Sequence, residues 1–179
     1  MAEKLSENFT LEELIYSDTA KARGIDNSPT ALHKKILKHT AQYLLEKIRA
    51  LLNEKYKTYN KKEVKYVALK VTSGYRSEKL NLAVKGSNTS QHLNGSACDI
   101  EARIVFKDGT KKVLPYTELY ANIKQWVKEK KMSVDQCIQE KSGNAVWIHA
   151  SHHPSGRTKD RRQFLIYSNG MYRLDCDLD

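Results

Sequence analysis

The stretch "SACDIEARIVFKDGTKKVLP", Ser96 to Pro115, decides the fold. An apolar run beginning beside Asp99 is followed by Asp108-Gly109 and a second short apolar segment, which predicts two strands about a "KDGT" turn. Asp-Gly favours the positive φ angles that tight hairpins demand. An antiparallel pair therefore sits near the middle of the chain, and its surroundings tell what packs on it.

Upstream, "SEKLNLAVKG" (77–86) reads as a short helix stopped by Gly86. "EVKYVALKVTSG" (63–74) alternates Val64, Tyr66 and Ala68 with charged partners and closes on a glycine turn, as a strand does. In "NSPTALHKKILKHTAQYLLEKIRALLNEK" (27–55), Ser28 can cap and Pro29 suits the first helical position. Leu32, Ile36, Tyr43, Leu44, Ile48 and Leu51 then recur at helical spacing, predicting the main amphipathic helix. Thr10 and Glu13 of "FTLEELIYSDTA" form a capping box ahead of a short helix. Downstream, "YTELYANIKQWVKEKK" puts Leu119, Ile123, Trp126 and Val127 on one helical face, which should pack on the sheet. "SVDQCIQE", "AVWIHAS" and "RRQFLIYSNGMYRLD" supply further strands joined by "KSGN" and "SNG" turns. The order is two helices, then a small mostly antiparallel sheet with one inserted helix, so the class is α+β.

A length of 179 residues fits one domain, with a helical part at about 8–55 and the sheet and site at about 63–175. At 40% hydrophobic and 29% charged the chain has the composition of a folded protein. No apolar run is long enough for a transmembrane segment, and "MAEKLSENFT" lacks the apolar core of a secretory signal, which predicts cytoplasmic synthesis. Cys98, Cys137 and Cys176 are scattered and odd in number, so free thiols are expected. Lys and Arg exceed Asp and Glu by 31 to 21, a net +10. That excess suits an anionic partner: nucleic acid, acidic membrane and the anionic polymers of a bacterial cell envelope all qualify, though no nucleic-acid recognition motif accompanies it. The bland alternative is solubility.

Chemistry concentrates in "SQHLNGSACDI" (90–100). A hydrolytic zinc ion takes three protein ligands from His, Asp or Glu and leaves a fourth position to water. His92 lies in a turn-rich stretch and Asp99 at the start of a strand, so the chain between them can loop around a shared point. "AVWIHAS" offers His149 in an apolar strand, where an unpartnered imidazole would be costly to bury. Singly, each has an ordinary explanation as a surface or hydrogen-bonded residue. Cys98 rivals Asp99, but adjacent strand residues point to opposite faces, and its apolar neighbours suit a core position.

"SGYRS" (73–77), "SQHLNGSACDI" and "WIHAS" (147–151), in that order and preceded by "FTLEELIYSDTAKARGIDNSP", resemble the zinc D-alanyl-D-alanine carboxypeptidase family, part of a wider group with lysostaphin-type peptidases and the hedgehog signalling domain. The resemblance extends to single-domain phage endolysins and related bacterial peptidases, over most of residues 8–151. The resemblance implies one zinc ion on His92, Asp99 and His149, with Arg76 facing a substrate carbonyl or carboxylate. Many relatives carry an acid three residues before the last histidine, where this chain has Val146. Glu140 is the expected general base in its place, with Asp135 as fallback. Ser90 is expected to hydrogen-bond in the cleft, Trp147 to wall the core, and His152 and His153 to form a flexible surface pair. The implied activity is cleavage of peptidoglycan stem peptides by a monomer released to the cell wall at phage lysis. The bond cut is left open, with selectivity assigned to loops such as 102–116. The alternative, suggested by Val146, is a non-catalytic, hedgehog-like zinc module.

Overall fold

The computed structural model describes residues 2–153 and 159–178. It opens with α1 (Leu11–Ile15), whose capping box is complete: the Glu13 N–H donates to Thr10 Oγ1 at 3.3 Å and the Thr10 N–H to Glu13 Oε2 at 2.8 Å. A separate helix α2 (Asp18–Arg23) follows, capped by Ser17 and ended by left-handed Gly24.

The main helix is a relay of three pieces: α3 (Ala31–His39), a π-helical turn (Thr40–Leu45) and α4 (Glu46–Lys55). Its cap is Thr30, which accepts from the His33 N–H, rather than Ser28 two residues earlier. The buried seam runs through Leu37, Ala41, Leu44, Leu45, Ile48, Leu51 and Leu52, while the expected core residues Leu32 and Tyr43 are exposed. A π turn admits an extra residue, so the apolar stripe before it and the stripe after it differ in phase and a single 3.6-residue period misplaces members of each.

The strands are β1 (Thr58–Tyr59), β2 (Lys62–Ser73), β3 (Ala97–Phe106), β4 (Lys111–Val113), β5 (Gln136–Ser142), β6 (Ala145–Ser151), β7 (Gln163–Ser168) and β8 (Met171–Asp177). Two helices interrupt them, α5 (Glu78–Ala83) and α6 (Tyr116–Lys128). The strands form one sheet in the order β1-β2-β3-β6-β5-β7-β8, with β4 also on β3. Every pairing is antiparallel except β5 with β7. The class is thus α+β as expected. Strand β2 departs in detail: an irregularity between Val64 and Tyr66 turns Val67 and Leu69 into the core and leaves Tyr66 exposed.

Alternation divides the sheet's two faces. On one, Cys98, Ile100, Ala102, Ile104, Cys137, Ile148, Ala150 and Phe164 join Leu45, Ile48, Leu52, Ile123 and Val127 of the helices in a continuous core. The other carries Asp99, His149, Ile138 and Glu140, which are register partners or two residues apart along a strand. All three cysteines are free, and Cys98 and Cys137 are buried. Among the described residues no helix is long and apolar enough to cross a membrane.

Candidate metal centre and cleft

A 3₁₀ turn, the strand that directly follows it and a strand distant in sequence each deliver one polar group to the same point. Ser90 caps a short 3₁₀ turn (Gln91–Asn94) by accepting the His92 N–H at 3.4 Å, and Gly95 ends the turn at φ 82°. Only glycine suits that place, because it is left-handed and a Cβ would sit 3.0 Å from Leu37 Cγ. The chain then enters β3, where Asp99 pairs in register with His149 of β6. His92, Asp99 and His149 are all buried.

Their geometry is a near-equilateral triangle. His92 Nε2 lies 3.2 Å from His149 Nδ1, His149 Nδ1 lies 3.2 Å from Asp99 Oδ1, and His92 Nε2 lies 3.3 Å from Asp99 Oδ1. The other nitrogen of His92, Nδ1, meets the Gly74 carbonyl at 2.6 Å. A carbonyl can only accept, so Nδ1 carries a proton, and it is the Nε2 atom that faces His149 Nδ1 and Asp99 Oδ1. Gly74 comes this close because it has no side chain; a Cβ there would stand 2.2 Å from the Leu14 carbonyl oxygen. Three electron-rich atoms converging in a buried space need a proton or a cation among them to offset the repulsion of their lone pairs. A tetrahedral ion with bonds of about 2.0–2.1 Å spaces its ligands about 3.3–3.4 Å apart, close to the edges seen here. The donor set therefore fits zinc in number, chemistry and spacing.

Arg76 fixes the carboxylate. Its Nη2 donates to Asp99 Oδ2 at 2.7 Å and its Nε to Ser73 Oγ at 3.0 Å, leaving Oδ1 as the oxygen aimed into the triangle. Burial opposes the Asp99 charge, but positive charge and hydrogen bonds from the His92 and His149 imidazoles, when these hold protons in place of a cation, outweigh it and hold the carboxyl well below the usual range.

The triangle lies in a cleft of about 630 Å³ whose lining also includes Arg76, Ser90, Glu140 and Trp147. Glu140 sits on β5 directly across from Trp147 and two residues from Ile138, the partner of His149, so its side chain shares the face of the triad. Burial pushes its carboxyl up to about 7, the Asp99 charge adding to the effect against the pull of His149, Arg76 and a hydrogen bond from the Trp147 side chain. Val146 pairs with Lys141, on the opposite side of the strand from His149, and is exposed. On regular β-geometry a residue three before His149 points away from it, whereas one on the adjacent strand can face it.

Several expectations are corrected. Asp135 is fully buried and committed elsewhere: Arg161 holds it through Nε and Nη2 at 2.6–3.1 Å, and Gln91 Nε2 donates at 3.0 Å. It supports the fold and is not placed to act as the fallback base. His152 is no surface residue; it is buried, with Nε2 2.7 Å from Thr40 Oγ1 and Nδ1 2.9 Å from the His153 carbonyl, and burial pushes its pKa down to about 4. His153 is half-buried against Asp160 at 3.2 Å. Both rings are engaged away from the triad. Trp147 lines the cleft and not the core. Residues 102–116 form the end of β3, its turn, β4 and the start of α6, and none lines the cleft. The walls come instead from segment 84–90 and from Leu165, Tyr167 and Tyr172 of β7 and β8. Sequence reasoning missed those three, although period-2 alternation in "FLIYSNGMY" would have placed Leu165 and Tyr167 on one face.

Comparison with curated proteins finds no match. A family model described as Peptidase M15 matches residues 7–118, which carry Arg76, His92 and Asp99. The match covers more than half of the chain, ending before β5 and β6, and with the order of motifs it settles the lineage: the chain belongs to the M15 peptidases, the family of zinc D-alanyl-D-alanine carboxypeptidase-like enzymes.

Proposed function

We propose that the chain is a zinc-dependent peptidase that hydrolyses peptide stems of peptidoglycan, working as a single-domain monomer in the manner of endolysins. The observation that carries the reading is the 3.2–3.3 Å triangle of His92, Asp99 and His149 with Glu140 on the same sheet face. Those three residues would hold a zinc ion, which would supply Lewis acidity for a scissile carbonyl and for the attacking water. Glu140 accepts a proton from that water and returns it to the departing amine; a carboxyl whose pKa lies near 7 suits both halves of the transfer. Arg76 occupies Asp99 Oδ2 and offers its remaining N–H donors to negative charge developing on the substrate carbonyl. Ser90 holds the His92 turn and borders the substrate path. The net charge of +10 favours an anionic envelope surface.

The non-catalytic, hedgehog-like reading draws on Val146; Glu140, raised by burial beside the triad, favours the enzyme. Zinc-loaded protein incubated with purified muropeptides should release new amine termini, chelation should stop the release and added zinc should restore it. No new termini from any muropeptide, with zinc bound, would defeat the peptidase reading and leave the binding module.

A further inference from the structure

Beyond Glu140 the sheet face continues across two more strands. In register, Glu140 stands beside Tyr167 of β7, and Tyr167 beside Tyr172 of β8. One rung closer to the triad, His149 stands beside Ile138, Ile138 beside Leu165, and Leu165 beside Leu174. Two parallel rungs thus run from the triad to the edge of the sheet, and past Glu140 they carry only apolar and aromatic side chains. The tyrosine rings pack with centroids 4.7 Å apart at a 44° tilt. Tyr172 and Leu174 remain 60% and 54% exposed, unusual for large apolar groups side by side on an edge strand. Leu165, Tyr167 and Tyr172 line the same cleft as the triad.

We propose that this shelf is a distal substrate subsite: it holds an apolar portion of an extended peptide while the bond beside the triad is cut. The proposal rests on the peptidase reading and adds the length and chemistry of the substrate. From β6 to β8 is three strand spacings of about 4.8 Å, or about 14 Å in all, and an extended peptide advances about 3.3 Å per residue. The occupant of the shelf therefore lies about four residues from the scissile bond. A free dipeptide cannot reach it. The occupant is the substrate itself because the shelf is continuous with the cleft, and it is apolar because no charged side chain stands on these rungs beyond Glu140.

The test uses zinc-loaded full-length protein and a nested set of synthetic stem peptides shortened one residue at a time from either end. In the wild type, kcat/KM should fall sharply once truncation on one side removes the residue that reaches the shelf. Tyr172→Ala should shrink the long-to-short preference about tenfold, mainly through KM, as expected for losing one buried aromatic contact. Tyr172→Phe should keep the preference. Met171→Ala, on the neighbouring residue whose side chain alternates to the other face, should also keep it. Equal loss on long and short peptides, an unchanged preference in Tyr172→Ala, or Tyr172→Phe behaving like alanine would overturn the shelf while leaving the peptidase intact. A wild type that cleaves no peptide of any length would overturn the peptidase reading itself.

Discussion

At the scale of single residues, the site depends on side chains whose charge is set by neighbours. Glu140 is the clearest case, because burial lifts its carboxyl to about 7 while Asp99 is held ionised beside it. Two acids on one face with opposite shifts are suited to opposite roles, ligand and proton carrier. Replacing Glu140 with alanine should lower kcat by about 10²–10⁴, the usual share of a general acid–base group, while the zinc content measured after dialysis stays at one ion per chain. Loss of zinc along with activity would make Glu140 a ligand or a structural group. The sign of the pH dependence follows from the same shift. Below its pKa Glu140 is neutral and cannot accept a proton, so kcat/KM should rise with pH through a single limb. A cation in the adjacent triad favours the carboxylate, placing that limb at or below about pH 7. The limb should vanish from the residual rate of Glu140→Ala; persistence there would assign it to another group.

At the scale of elements, the ligands are only as well placed as the turns and strands that carry them. The π-helical turn takes part in this: Thr40 Oγ1 lies 2.7 Å from the Gly95 carbonyl, 2.7 Å from His152 Nε2 and 3.0 Å from the Ile36 carbonyl, tying the long helix to the turn between His92 and Asp99. Thr40→Val preserves shape and removes the hydroxyl, leaving buried polar atoms without that partner. It should cost about 1–3 kcal/mol in denaturant unfolding at unchanged m-value, with a further loss of zinc affinity as the turn relaxes. A variant as stable as the parent would show the bond to be dispensable. This element also marks where the sequence stopped being legible. Strands near Ser96–Pro115, the α6 face of Leu119, Ile123, Trp126 and Val127, and the capping box at Thr10 were readable because each is a local pattern. The phase slip at the π turn and the irregularity in β2 were not, since each is imposed by partners distant in the chain. The spacing of His92 and Asp99 and the awkward burial of His149 raised the three as candidates, and the family resemblance joined them into one set. The engagement of Asp135 by Arg161 and the burial of His152 under Thr40 were invisible, because tertiary packing alone creates them.

At the scale of the whole molecule, charge and metal each couple the site to the rest of the chain. With a net charge of +10, retention on isolated anionic cell walls should fall steadily as salt rises from low to physiological strength, and salt-insensitive retention would separate wall binding from charge. The metal acts more deeply. His149 is 57 residues from His92 and 50 from Asp99, so an ion on all three cross-links the 3₁₀ turn, β3 and β6. The three groups converge only in the folded chain, so the unfolded chain offers the ion no comparable site. Binding to the native state alone stabilises it by mass action, about 4 kcal/mol when free zinc exceeds the dissociation constant a thousandfold. In a chain of this size that corresponds to a rise in Tm of roughly 10 °C. Scanning calorimetry of the wild type with zinc and with chelator should show this gap, and His149→Ala should abolish it by removing one ligand. Glu140→Ala should retain the gap, since Glu140 lies outside the three converging groups. A wild type whose Tm is indifferent to zinc would mean that the three converging side chains are held by hydrogen bonds alone, and the catalytic reading would then have no metal to act through.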